Sequence, residues 1–152
     1  MLRKNTISLP GTPRTKGSKR PMLTKSGKVI AIEQNADALK AWTDEVVTAW
    51  NFSKPDRIGN TGRFITEGPV SVLITVYRAR PRTHYLGDVV RQELRHARPI
   101  TRVGDLDKVA RAILDALTTH AFNDDSQVVD LHVHRYWDSV NRTTITVQEV
   151  EQ

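Results

Sequence analysis

The period of the apolar positions changes several times along the chain, and each change predicts a change of element. In "NTISLP", residues 5–10, Ile7 and Leu9 alternate with Thr6 and Ser8 at the two-residue period of a strand, and Pro10 stops it. Two short β-prone runs flank Ser26 and Gly27 in "MLTKSGKVIAI", which predicts a hairpin. From residue 35 to 50 the period lengthens. Ala38, Leu39, Trp42, Val46 and Ala49 recur at helical spacing, with Asn35 or Asp37 as the N-cap and Trp42 as a core residue. Residues 51–68, with Pro, Asn and Gly, form a connector. "PVSVLITVYRA" then puts β-branched Val70, Val72, Ile74 and Val76 on one face, the pattern of a central strand.

Residues 81–103 have no sustained period and are rich in Arg and His, which is the profile of a functional or mobile segment. After Gly104, Val109, Ala112, Ile113, Ala116 and Leu117 form the apolar stripe of a second helix, while Asp107, Arg111 and Asp115 fall four apart on another face. A turn at residues 122–125 leads into "QVVDLHVHRYW" and "RTTITVQEV", two strands that "DSVN" would join as a hairpin. The order predicts an α+β fold: a single domain over residues 1–152 in which two main helices cover a mixed β-sheet.

Charge alters this picture more than composition does. The 152 residues carry 23 Lys and Arg against 17 Asp and Glu, and no cysteine, so disulfides and thiolate metal sites are excluded. No apolar run approaches the roughly 20 residues of a membrane span, and the N-terminus has no apolar core of signal-peptide length; a cytoplasmic protein without a membrane partner is expected. The first 32 residues hold eight bases and no acid, residues 78–102 add seven arginines, and residues 103–152 reverse the sign with nine acids against four bases. The complementary arrangement is a polyanion on the basic surface and a cation among the acids. Within the basic loop of residues 10–20, Arg14, Lys16, Lys19 and Arg20 are candidates for backbone phosphates. The histidines fall into no metal-ligand spacing; His132 and His134 share one face of a strand and are read as surface or DNA-side residues.

The acids concentrate in "GDLDKVARAILDALTTHAFNDDSQVVDLHV", residues 104–133. Asp105 and Asp107 are two apart, so in an extended segment entering the helix they point to one side. A structural account competes with this, in which Asp105 only caps the helix. Asp124 and Asp125 return on the turn after it. Hard divalent cations prefer carboxylate and water oxygens, and packed carboxylates without a cation repel one another. An EF-hand is excluded, because its D-x-D-x-D-G run and twelfth-position Glu are missing.

Residues 104–135 resemble the signature of the RusA-type Holliday junction resolvases: D-x-D, a helix ending in D-A-L, then an Asp-Asp turn before a strand beginning S-Q-V. "ISLPGTPRTKG" more loosely resembles the family's opening strand and basic loop. The resemblance implies a RusA-like fold and a homodimer that cuts branched DNA at four-way junctions. It implies Mg²⁺, for which Mn²⁺ can substitute, held by Asp105, Asp107 and Asp125, with Asp124 as a lesser ligand or orienter. The family's catalytic lysine, four residues after the second Asp, is matched by Arg111, which keeps the charge but is no proton donor at ordinary pH. Lys108 is the other candidate for that role, and either would stabilise charge building on the phosphorane. Asp115 is read as the ion-pair partner of Arg111. The segment 79–103 is longer than the simplest family pattern. Two other readings stand beside this one: a non-catalytic DNA-binding module of phage or bacterial replication and recombination, and a nuclease that shares the site but acts on flaps or other branched intermediates.

Overall fold

The computed structural model describes residues 2–15, 19–33, 36–53, 67–99 and 105–152. Lys16, the Asn35 cap and most of the connector after the first helix lie outside them. Strands β1 (Lys4–Pro10), β2 (Lys19–Leu23) and β3 (Val29–Glu33) precede helix α1 (Ala36–Ser53). Strand β4 (Val70–Ala79) and the short β5 (Tyr85–Leu86) and β6 (Val89–Val90) precede α2 (Leu106–Leu117), and β7 (Val128–Asp138) and β8 (Arg142–Glu149) follow. Lys19 and Arg20, expected in the basic loop, instead open β2 of the predicted hairpin, whose turn is closed by Thr24 and Lys28 around Gly27 at φ 81°.

Four strands form the main sheet in the order β1-β8-β4-β7, with β7 parallel to β4 and the other pairs antiparallel. β4 is therefore internal, as its β-branched run predicts. Val70, Val72, Ile74 and Val76 are buried on the helix side beside Ile7, Leu9, Ile145 and Val147. α1 contributes Trp42, Val46 and Trp50 to this core, and α2 contributes Val109, Ile113 and Leu117. Each such side chain, fully buried, stabilises the fold by about 1.5–3 kcal/mol. Trp50 also donates its indole N–H to the His120 carbonyl at 3.2 Å, which ties the end of α1 to the turn after α2. Asp37 lies inside the first turn of α1, one residue past its start, so it favours the helix dipole rather than occupying the cap position.

One expected pairing is corrected. β7 and β8 are consecutive and antiparallel, yet they form no hairpin, because β4 lies between them and pairs with both. The physical reason is that a fully apolar strand face is best covered in mid-sheet, where both backbone edges are satisfied. The connection crosses the end of β4 and is fastened there: Asn141 Oδ1 accepts from Ala79 N at 2.8 Å, and Arg80 N donates to the Asp138 carbonyl at 2.9 Å. Asp138 in turn accepts from Ser139 N and Arg142 Nε.

At the far edge of the sheet, Arg3 binds Glu149 through its backbone N–H at 2.7 Å and its guanidinium at 2.8 Å. These bonds hold the Glu149 carboxyl below the usual glutamate range. A carboxylate with a lowered folded pKa adds stability that is complete above its unfolded value and lost as pH falls through the folded one. Glu149→Gln is expected to cost about 1 kcal/mol at neutral pH, solvent screening included. In urea melts at stepped pH the gap from the parent should close in acid; a constant gap would assign the loss to packing instead.

Candidate active site

α2 begins as the chain leaves Asp105, whose carbonyl takes the first helical bond from Val109 N at 3.1 Å. Asp105 occupies the N-cap position of α2, but its side chain makes no capping hydrogen bond. Its Oδ2 stands 3.6 Å from Lys108 Nζ. Asp107 already lies within the first helical turn, so the extended geometry that would align the two acids is absent.

Asp107 instead belongs to a face that repeats every four residues. With Leu106, Ala110, Arg111, Leu114 and Asp115 it forms one wall of an open groove of about 590 Å³ between α2 and β7. Leu131 and Val133 of β7 form the other wall, and Asp125 lies at the groove as well. Three carboxylates and one guanidinium thus surround an apolar floor. Arg111 lines the groove, whereas Lys108 stands beside Asp105 at the helix entry. Arg111 and Asp115 form no ion pair, contrary to the expectation for Asp115; the Asp115 charge acts on Asp125 instead. The i, i+4, i+8 spacing of Asp107, Arg111 and Asp115 was the sequence signal for this wall.

The turn that presents Asp125 is built by its neighbours. Asp124 caps the single 3₁₀ turn Asp125–Gln127: its Oδ1 accepts from Ser126 N at 2.8 Å, and Gln127 Oε1 accepts from Asp124 N at 3.1 Å. Gln127 Nε2 donates to the Gly68 carbonyl at 2.9 Å, which anchors the turn to the start of β4. The Ser126 N–H holds the Asp124 carboxyl below its ordinary range. Asp125 is pushed the other way, first by its hydrogen bond with Asp124, then by desolvation and by the negative charges of Asp124 and Asp115. Asp124 therefore has a positioning role, and Asp125 is the member of the pair that faces the groove.

One arginine, Arg135, was not legible as a site residue in the sequence. Alternation along β7 puts Arg135 on the same face as Leu131 and Val133, opposite Val76 of β4. Arg135 lies within electrostatic reach of Asp105 and Arg78, and burial followed by the Arg78 charge lowers its pKa. The period of β7 was the available signal, obscured by the surrounding histidines. His132 and His134 occupy the opposite face, away from the helices, with rings stacked 6.4 Å apart. In the basic loop Arg14 is exposed.

The donors at the groove are all oxygens, which fits a hard divalent cation better than a thiolate-seeking metal. Among the described residues no three His, Asp or Glu side chains converge closely enough to enclose an ion. The carboxylates line a wall, and a cation held by one or two of them would complete its shell with water, as Mg²⁺ does.

A family model described as endodeoxyribonuclease RusA matches residues 10–148. The chain belongs to the endodeoxyribonuclease RusA family. The match takes in both helices and all but the last residue of β8. The chain is also similar to the uncharacterized protein YqaN of Bacillus subtilis (strain 168), with 33% identity over 88 residues, or 57% of this chain. It spans 61% of that relative's length. RusA membership agrees with the α+β fold, a mixed sheet under two helices. Among the described residues no helix is long and apolar enough to cross a membrane.

The capping role of Asp124 is directly testable. Asn caps nearly as well as Asp, whereas Ala leaves the Ser126 N–H without its acceptor. Asp124→Asn should melt like the parent, and Asp124→Ala should melt a few degrees lower. Equal melting of both variants, by calorimetry, would remove the cap from the account of this turn.

Proposed function

We propose that this chain is a divalent-metal-dependent endodeoxyribonuclease that hydrolyses phosphodiester bonds in branched DNA, four-way junctions above all, and that it acts as a homodimer. Support comes chiefly from one observation: Asp107, Asp115 and Asp125 share a groove with Arg111 in a member of an endodeoxyribonuclease family. Asp107 and Asp125 would hold Mg²⁺ or Mn²⁺, with Asp115 beside them and Asp105 at the helix entry. A cation bound there supplies Lewis acidity toward a phosphate oxygen and lowers the pKa of water. Arg111 stands ready to stabilise negative charge on the scissile phosphate, but it does not donate a proton at ordinary pH. Asp124 keeps the Asp125 turn in place, and Arg135 with Arg78 offsets the repulsion that Asp105 would exert on a phosphate. Paired cuts in opposed strands of a symmetric junction call for two equivalent sites, which a two-fold dimer provides.

The deciding experiment compares synthetic four-way junctions with linear duplex, with Mg²⁺ and with EDTA. Junction cleavage that EDTA abolishes is expected; salt-sensitive binding without cleavage would favour a non-catalytic DNA-binding module, and equal cutting of flaps would widen the substrate class. Asp107→Asn and Asp125→Asn should each lower turnover by at least about 100-fold, the scale of losing one charge-stabilising group. Junction binding should survive in both, since a carboxylate near phosphate is removed. Near-normal turnover in either variant would exclude that residue from the site.

The basic loop makes a separate prediction. Neutralising Arg14, Lys16, Lys19 and Arg20 together should weaken junction and duplex binding alike. The slope of log K against log salt should fall by roughly 0.9 for each phosphate that the loop no longer neutralises. An unchanged slope would place the phosphate-binding surface elsewhere on the molecule.

A further inference from the structure

The long segment between β4 and α2 is not explained by the groove. Its described residues, 80–99, fold back on themselves and are braced both from within and against β7. Arg91 N donates to the His84 carbonyl at 2.9 Å, and Arg91 Nε donates to the Thr83 carbonyl at 3.1 Å. Arg80 spans the next turn, its guanidinium donating to the Leu94 and Arg95 carbonyls at 3.0 and 3.2 Å. Arg98 Nε donates to the Arg135 carbonyl at 2.8 Å, and its guanidinium lies 3.8 Å above the Tyr136 ring. His84 packs edge-on against Trp137, with ring centroids 5.1 Å apart. Residues 80–98, held by these bonds within the segment and by contacts with β7, are a fixed element of the surface.

Two features of that element are costly unless they have a partner. At the tip, Leu86 and Val89 are opposed across the two-stranded turn formed by β5 and β6, and they are 69% and 60% exposed. Gly87, at φ 63°, permits the tight reversal between them, so nothing in the turn itself requires apolar side chains. At the base, a cleft of about 220 Å³ is lined by Arg80, Arg95, His96 and Arg98 over Tyr136 and Trp137. Arg80, Arg91 and Arg98 are satisfied by neutral carbonyls, and among the described residues none of the segment's arginines forms an ion pair with a carboxylate. Their charge is left for an anion.

A rigid cationic cleft and an exposed apolar tip on one segment match one surface in particular. The phosphate backbone answers the arginines, while bases answer the apolar pair only where stacking is interrupted. Interrupted stacking is a property of a branch point and is rare in continuous duplex. We infer that residues 80–98 are a branch-recognition element: the arginine-walled cleft holds the backbone of one DNA arm, and Leu86 and Val89 pack against the bases left unstacked at the crossover. This rests on the reading of the chain as a nuclease of branched DNA, and it adds the means by which such DNA is distinguished from duplex.

The test uses the full chain carrying Asp107→Asn, so that DNA is bound without being cut, and junctions with 2-aminopurine at the crossover. Binding of the parent should raise the fluorescence as the base unstacks. Leu86→Ser with Val89→Ser should keep duplex affinity, lose the fluorescence rise and lower the preference for junction over duplex by about 10-fold, the scale of one base-stacking contact. Leu86→Phe, which enlarges the tip without adding polarity, should retain or increase the rise. Arg95→Gln should weaken junction and duplex together and make the salt slope shallower by about 0.9. A tip variant with full preference and full fluorescence overturns the inference. A tip variant that shifts the monomer–dimer balance in sedimentation also overturns it, since the tip would then contact a second copy of the chain. If the chain without Asp107→Asn neither binds nor cuts junctions, the proposed function fails too; if it does both while the tip variant behaves as parent, only this inference fails.

Discussion

Strand β4 has hydrogen-bonding partners on both edges and four β-branched side chains under the helices, and the rest of the arrangement depends on that double commitment. A strand so apolar on one face is stable only in mid-sheet and covered. Its pairing with β7 on one side and β8 on the other forces the chain between those two strands to pass over its end. α2 then packs across the buried face through Val109, Ile113 and Leu117. Once that stripe is buried, the Asp107, Arg111 and Asp115 face has no freedom left: it must look outward over edge strand β7. The groove is thus a by-product of where the helix buries its apolar side.

Electrostatics then sorts residues of the same chemical type into different tasks. Asp124 accepts a backbone N–H and is held ionised, while Asp125, one residue later, bears the repulsion of Asp124 and Asp115. Asp105 is relieved by Lys108 at 3.6 Å and by the nearby charge of Arg135. Among the described residues, Arg111 is the one cation that lines the groove with Asp107, Asp115 and Asp125. An array of this kind has most to gain from a divalent cation, because the cation removes a repulsion as well as forming bonds.

Local pattern was readable from the sequence, and distant pairing was not. The period-two run of β4 and the helical stripe of α2 depend on side chains within a few residues of each other, and both appear in the fold as expected. The supposed β7–β8 hairpin also followed a local signal, the polar "DSVN" between two strands, but its failure was decided by a strand some sixty residues earlier in the chain. The same limit applied at the site. Asp115 had the right spacing to pair with Arg111, yet only the tertiary position of the Asp125 turn shows that it faces another carboxylate. Arg135 was hidden for the same reason, since its neighbours Asp105 and Arg78 arrive from different elements.

Strand β7 connects the two halves of the surface. Its helix-side residues Leu131 and Val133 wall the groove, whereas Tyr136 and Trp137, farther along, floor the arginine cleft. Only three residue steps of strand, about 10 Å at the usual rise, separate Val133 of the groove from Tyr136 of the cleft. Groove and cleft are therefore set along one rigid strand rather than on separate loops. A one-residue slip of β7 against β4 would turn Leu131, Val133 and Arg135 away from α2 and bring His132 and His134 beneath it. The parallel ladder between these two strands, besides burying the core, is what keeps carboxylates and arginines at one fixed distance.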